Sequence, residues 1–285
     1  MNTKQNTGRE IRNVLLFYIL CFAIRTAESL FIRTDRSVFG ELFIHKLIGI
    51  ALLGAAIGFL RMKWADIGFD RAGFARGILT GVSLGLPAYA VAYLAEFAIQ
   101  ARAGENPALS FFATSYGVTG NTEMQSGFLF ILICIAGNIV NVIMEEGVFR
   151  GLFMTALNKR LPAAGAILLS SVLFGLWHIV EPFRNFIDGE QSPAGASMMA
   201  LMLFAASTVF GIALCLLFRV TGSLWAGMVL HFMNNAGANL LHVVSSSGTD
   251  GLQTMRIAIA QTLLFAAIAI WYAMRFSKRA KEAQG

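Results

Sequence analysis

Apolar residues run along this chain in eight blocks, roughly 13–32, 42–60, 74–100, 127–157, 162–180, 197–218, 222–243 and 254–276. Each block is near the ~20 residues a helix needs to cross hydrocarbon. The pattern predicts an all-α polytopic membrane bundle of about eight transmembrane helices, a single integral membrane domain over residues 1–285. The fourth block is too long for one upright span. It is expected to tilt, or to run beyond the bilayer by a further turn or two.

The connections between the blocks alternate in charge. Lys4, Arg9 and Arg12 precede the first block, and Arg61, Lys63, Arg71 and Arg76 separate the second from the third. Lys159 and Arg160 join the fourth to the fifth, Arg219 joins the sixth to the seventh, and Arg275, Lys278, Arg279 and Lys281 follow the eighth. The other connections are poorer in Lys and Arg and hold Asp35, Glu41, Glu105, Glu123, Glu181, Asp188, Glu190 and Asp250. Basic loops stay on the cytoplasmic side. The expectation is a multi-pass protein of the cell membrane with both termini cytoplasmic.

Composition fits that picture. The chain is 56% hydrophobic and 13% charged, against about 25% charged in soluble domains. The net charge of +6 sits in short inter-block segments, so it encodes topology and gives no reason to expect nucleic acid. Cys21, Cys134 and Cys215 all fall inside apolar blocks, with neither metal spacing nor a disulfide framework, and read as packing residues. The basic N-terminus and Val14–Ile24 faintly resemble a signal peptide. Arg25 follows directly with no small-x-small site, so an uncleaved first span is expected. Trp64, Trp225 and Trp271 stand where interfacial anchors belong, and Trp64–Phe69 reads as a short interfacial connector. The glycines scattered through the blocks favour close helix packing.

One stretch breaks the apolar pattern. Met144-Glu145-Glu146-Gly147-Val148-Phe149-Arg150 places two carboxylates and a guanidinium inside the fourth block. Each charge at bilayer depth costs about 2.5–3.5 kcal/mol, and three unpaired would cost roughly 7–10 kcal/mol, so such a cluster reads as a functional site. Glu146 and Arg150 are four apart and are expected to pair on one helix face. Glu145 is turned about 100° away and has no cation at its i±3 or i±4 positions. Asn138, Asn141 and Glu145 form a polar seam.

The hairpin turn near Lys159-Arg160 and Pro162 lies 15 residues after Glu145 and 16 before His178. Both therefore stand about 22–25 Å from the turn, at one depth. The seventh block supplies His231 and Asn235, again i and i+4, with His242 expected near the same face and Asn234 off it. Buried imidazoles and amides find no partner in lipid, so they must face the bundle interior. A glutamate, two histidines and an amide in a wet cavity suit water activation, with Glu145 as general base and His231 and Asn235 steadying an oxyanion. A divalent metal such as zinc, held by Glu145, His178 and His231, also fits on ligand type, which leaves a metallo-type and a metal-free glutamate-type endopeptidase both open.

Glu145-Glu146-x-x-x-Arg150, Phe174-x-x-x-His178 and His231-x-x-x-Asn235, in this order on successive apolar helices, resemble the CAAX-protease and bacteriocin-processing (CPBP, or Abi) intramembrane proteases. The resemblance covers about residues 127–243, which would form the catalytic core. It implies that Glu145 and His178 activate water, that His231 and Asn235 stabilise the transition state, and that Glu146, Arg150 and Phe174 support them. The expected activity is hydrolysis of a peptide bond in a membrane-associated peptide or protein. The rival class is non-enzymatic: a transporter, or an immunity or scaffold protein, using the same polar cluster.

Overall fold

Every apolar block becomes helix. The computed structural model describes residues 3–37, 40–114, 126–246, 248 and 250–282; Glu123, one of the acidic loop residues, lies outside them. Helix α1 (Thr3–Ala27) runs without a break into a π-helical turn, Glu28–Ile32, and stops at Arg33, whose φ of 59° is left-handed. Helix α2 (Ile44–Phe59) returns, and a 3₁₀ turn (Trp64–Ile67) leads to α3 (Phe74–Arg102). Strand β1 (Ala108–Phe111) precedes α4 (Phe128–Glu145). A π-helical segment, Glu146–Phe153, then carries the same helix on to α5 (Met154–Asn158). Helices α6 (Ala163–Trp177) and α7 (Val180–Ile187) follow, then α8 (Pro193–Thr221), α9 (Trp225–Asn239), strand β2 (Leu241–Val244) and α10 (Gln253–Glu282).

Six of these helical runs are long and apolar enough to cross a membrane: Gly8–Ile32, Phe74–Arg102, Phe128–Asn158, Ala163–Ile187, Pro193–Thr221 and Gln253–Ser277. The second and seventh blocks are shorter, with 16 residues in α2 and 15 in α9. At 1.5 Å per residue they reach about 22–24 Å, less than the ~30 Å of hydrocarbon. In the seventh block the helix starts only after the left-handed Gly222 and ends where the chain turns into β2. Strand β2 pairs antiparallel with β1, Leu109 opposite Val243. The long fourth block is one helical run of 31 residues with the π segment inside it.

Small residues let the helices approach. Gly77, Gly81 and Gly85 form a stripe on α3 facing α9. A methyl at Gly77 or Gly81 would lie 2.5 Å from the Cβ of Trp225 or Val229, and one at Gly85 would lie 2.6 Å from the Met233 sulfur. In a bilayer, where lipid is as apolar as leucine, close packing of this kind is a main source of helix association. The packed interior forms two large clusters. One joins α1, α2, the π segment and α6 through Leu53, Phe149, Phe153 and Trp177. The other joins α3, α8, α9 and α10 through Ala92, Leu214, Leu230 and Leu264. The three cysteines are buried and form no disulfide, as packing residues should. Trp64 is exposed, as an anchor would be, whereas the Trp225 indole donates to the Asp70 carbonyl at 2.7 Å and ties α9 to the loop before α3.

Candidate active site

The centre of the site lies where α4 changes from α to π geometry. A π turn bonds i to i+5 and is rare outside functional regions. Two glycines accommodate it: a methyl at Gly147 would meet Leu53 at 2.6 Å, and one at Gly151 would meet the Ile67 carbonyl oxygen at 3.1 Å. The turn begins at Glu146, and Glu145 closes the α-helix before it.

Glu146 is fully buried and its Oε1 accepts twice, from Arg150 Nη1 at 3.0 Å and from the His231 ring at Nδ1, 2.8 Å away. The ion pair expected from the i, i+4 spacing is formed, and the Arg150 guanidinium also lies 4.0 Å over the Phe174 ring. Gly211 leaves room for it, since a methyl there would stand 3.1 Å from Arg150 Nη2.

Glu145 is buried too, but its partners come from other helices. Its Oε1 accepts from the Trp177 indole N–H at 2.9 Å and lies 3.8 Å from Arg25 Nη1. Arg25 itself stacks over Trp177, 4.7 Å from the ring centre. The expectation that Glu145 lacks a cation is therefore corrected. A search of the i±3 and i±4 positions sees only the residue's own helix, whereas α1 delivers a guanidinium from more than a hundred residues away. The other oxygen, Oε2, has no hydrogen-bond partner among the described residues and faces His231 Nε2 across 3.5 Å.

His178 caps the end of α6. Its Nδ1 hydrogen bonds to the Phe174 carbonyl oxygen at 2.9 Å and its ring meets the Phe174 ring edge-on. With Nδ1–H donating there, Nε2 is the nitrogen left for other chemistry. Phe174 also meets His231 edge-on, so one phenyl ring sets the planes of both imidazoles and of Arg150. Asn235 Oδ1 accepts from Asn234 Nδ2 at 3.4 Å.

Glu145, His178, His231 and Asn235 all line one cavity of about 480 Å³. Phe174 of the first apolar cluster and Phe210 of the second stand on its wall. Asn141 of the predicted seam reaches it as well, whereas Asn138 is buried and donates back to the Cys134 carbonyl. Asn234, placed off this face by sequence, lines the same cavity and accepts from Tyr89 at 3.1 Å and Gln261 at 2.9 Å. His242 is not part of the site. The helix ends before it, and on β2 its ring bonds to Asp250 at 3.0 Å and to the Phe112 carbonyl oxygen at 3.2 Å.

Sequence reasoning missed Trp177 and Arg25, the two groups that meet Glu145 Oε1 from other helices, and the polar wall that α2 supplies. There Lys46 pairs with Glu41, and His45 bonds to Glu28 at 2.6 Å. Glu28 also takes the backbone N–H groups of Ile44 and His45 and the Thr34 hydroxyl, so it closes the start of α2. A charged residue late in an apolar block, as Arg25 and Glu28 both are, was the available signal.

The donors do not assemble as a zinc site. Three His, Cys, Asp or Glu ligands must converge on one point about 2.0–2.3 Å from each. No group of three such side chains among the described residues is disposed to hold a metal ion. Glu145, His178 and His231 share a wall without forming that set.

No curated protein matches the chain. Residues 127–237, which take in the polar centres of α4, α6 and α9, match the family model for type II CAAX prenyl endopeptidase Rce1-like. The match covers that part of the chain and agrees with the resemblance to CPBP-type proteases, and the long apolar helices make the chain a multi-pass membrane protein.

Proposed function

We propose that this protein is an intramembrane endopeptidase that hydrolyses a peptide bond in a membrane-associated peptide or protein by carboxylate-activated water. It would sit in the cell membrane with both termini in the cytoplasm, as the basic loops require. The observation that carries the reading is the division of labour between two adjacent carboxylates. Both are held through Oε1, Glu146 by Arg150 and His231 and Glu145 by Trp177, but only Glu145 lines the cavity, so its Oε2, without a hydrogen-bond partner among the described residues, is the one a substrate water can reach.

The residues assign themselves roles in this reaction. Glu145 Oε2 takes a proton from a water that His178 Nε2 helps to hold, and the water oxygen bonds to the scissile carbonyl carbon. The carbonyl oxygen becomes an oxyanion. His231, held at Nδ1 by Glu146, turns its other ring nitrogen to the oxyanion, and the Asn235 amide N–H donates beside it. Glu145 then passes its proton to the leaving nitrogen as the C–N bond breaks. Arg150 and Glu146 hold His231 in place, and Phe174 fixes both rings.

Comparative peptidomics of cells expressing wild-type protein or Glu145→Gln tests this. Peptides present only with the wild type support the protease. Identical peptide profiles, with transport of a solute lost in the variant, would move the protein to the transporter class. Turnover that survives extensive chelation is expected, because no step uses a metal.

A further inference from the structure

The position of the cavity along the bundle says which side of the membrane it serves. Its wall includes Asp35 after α1, Glu41 before α2, Arg184 on α7, Asn239 at the end of α9 and Thr254 at the start of α10. These positions all belong to one end of the bundle. Among the described residues, none of the lining side chains comes from segments 60–73, 159–162, 219–224 or 275–282, the connections at the opposite end. Together with the N-terminal Lys4, Arg9 and Arg12, those opposite connections hold 13 of the 22 Lys and Arg residues of the chain. Charge and cavity are therefore segregated to opposite ends.

The mouth also has a built rim. Arg33 makes a two-pronged bond to Asp188 at 2.9 and 2.7 Å, and Arg184 bonds to Asp35 at 3.0 Å, tying the end of α1 to the end of α7. The Arg33 hydrogen bonds hold the Asp188 carboxyl below its usual range, against a small opposing effect of burial, so this clasp is ionised at neutral pH. Its basic groups are matched by acidic ones, so the mouth end carries no surplus of positive charge to hold it on the cytoplasmic side.

We infer that the catalytic cavity opens on the non-cytoplasmic side, and that its substrate is a membrane-anchored peptide or protein whose scissile bond is presented on that face. This rests on the orientation given under Proposed function. A peptide confined to the cytoplasm would meet the basic end of the bundle, which contributes no residue to the cavity wall. A segment emerging from the outer face meets the open one, with Glu145 and His178 on the wall beyond it.

Cysteine accessibility tests this without any substrate. Thr254→Cys places a thiol on an exposed residue at the mouth, and Ser207→Cys places one deeper on the wall formed by α8. Lys159→Cys marks the basic end. The native cysteines are buried and contribute little background. With a membrane-impermeant maleimide on intact cells, Thr254→Cys and Ser207→Cys should label, and their signal should be lost after blocking from outside. Lys159→Cys should label only after permeabilisation. Protection of Thr254→Cys and Ser207→Cys in intact cells overturns the inference. If Lys159→Cys labels from outside in the same cells, the orientation has failed, and if it too is protected, the cavity opens elsewhere. Neither result touches the protease reading, which stands or falls on Glu145→Gln turnover.

Discussion

Two of the buried ionic clusters among the described residues are built to opposite ends. At the end of α9, Arg256 is fully buried and donates to Glu96, to both oxygens of Asp250 at 3.1 and 2.7 Å and to the Gly237 carbonyl at 3.2 Å. Gln100 takes the second oxygen of Glu96, His242 bonds to Asp250, and Tyr93 lies under the guanidinium. Every carboxylate oxygen there has a partner. Around Glu145 and Glu146, one oxygen of each has none among the described residues. The first cluster ties α3, α9, α10 and the β-hairpin together and stands off the cavity. The second is left incomplete at the cavity wall. Buried charges that are fully paired serve architecture, whereas an open carboxylate held by its other oxygen is poised for chemistry. Presence of charge in a membrane helix does not separate the two cases; completeness of the hydrogen bonding does.

The comparison breaks most sharply at Glu145. The amide of Glu145→Gln can still accept from Trp177, so folding should be retained while the base is lost. Turnover should fall by about 10²–10⁴-fold with an unchanged melting temperature in detergent. His178→Ala should fall comparably, and the double variant only a little further, because residues acting on one water are not additive. Near wild-type turnover in both single variants would leave the transporter or scaffold class in front.

The closed cluster should behave in the opposite way. Arg256→Met leaves Glu96 and Asp250 buried without their cation, a loss that typically costs about 3–5 kcal/mol. The expected outcome is less folded protein and a lower melting temperature, with the surviving fraction cleaving at a normal rate per molecule. Asp250, in the loop before α10, adds a pH signature. Burial raises its carboxyl, but hydrogen bonds from His242 and Arg256 win and hold it below the usual range. A depressed folded-state value gives stability that is present above the unfolded value and lost as pH falls through the folded one. Strong acid, below the ordinary aspartate value of about 3.9, should therefore loosen this end, and Asp250→Asn should flatten that dependence. A normal melt with lost turnover in Arg256→Met would erase the distinction between the clusters.

Asn235→Ala should be intermediate. It removes a donor to the oxyanion and leaves the base, so a fall of roughly 10²–10³-fold in kcat is expected, with KM little changed. A variant as dead as Glu145→Gln would mean that Asn235 holds the water instead.

The reach of the sequence differed between the two clusters for a physical reason. Charges spaced i, i+4 on one helix, such as Glu146 and Arg150, are legible because helical geometry is local. So are His231 and Asn235, and the depth match of Glu145 with His178 across a short turn. The bundle itself was legible because lipid demands long apolar runs. The closed cluster was not, since Arg256 meets Glu96 across 160 residues, and no local spacing announces that. Nor did periodicity show where α9 would stop. His242 looked like a third helical histidine, yet a change to β2 moved it to Asp250. The π turn was equally hidden, because the segments packed against its Gly147 and Gly151, α2 and the Trp64–Ile67 turn, lie far off in the sequence.

The smallest predicted effect tests how the open carboxylate is held. Trp177 is packed among Tyr18, Phe22, His45 and Phe149, with ring centres 5.8–6.5 Å away. Trp177→Phe keeps an aromatic ring in that nest and deletes only the N–H to Glu145 Oε1. A hydrogen bond to a charged group is worth about 1.5–3 kcal/mol, so kcat should drop by roughly tenfold to a hundredfold. Arg25 remains 3.8 Å from the same oxygen, which keeps a partner for the carboxylate and limits the loss. If Trp177 only packed, the melting temperature would move and kcat per folded molecule would not. If it positions Glu145, kcat falls while the melt stays close to wild type. Arg25→Lys then preserves the charge without the planar stack on Trp177, and should fall less than Trp177→Phe. A larger loss in Arg25→Lys would make the guanidinium, not the indole, the group that leaves Oε2 free.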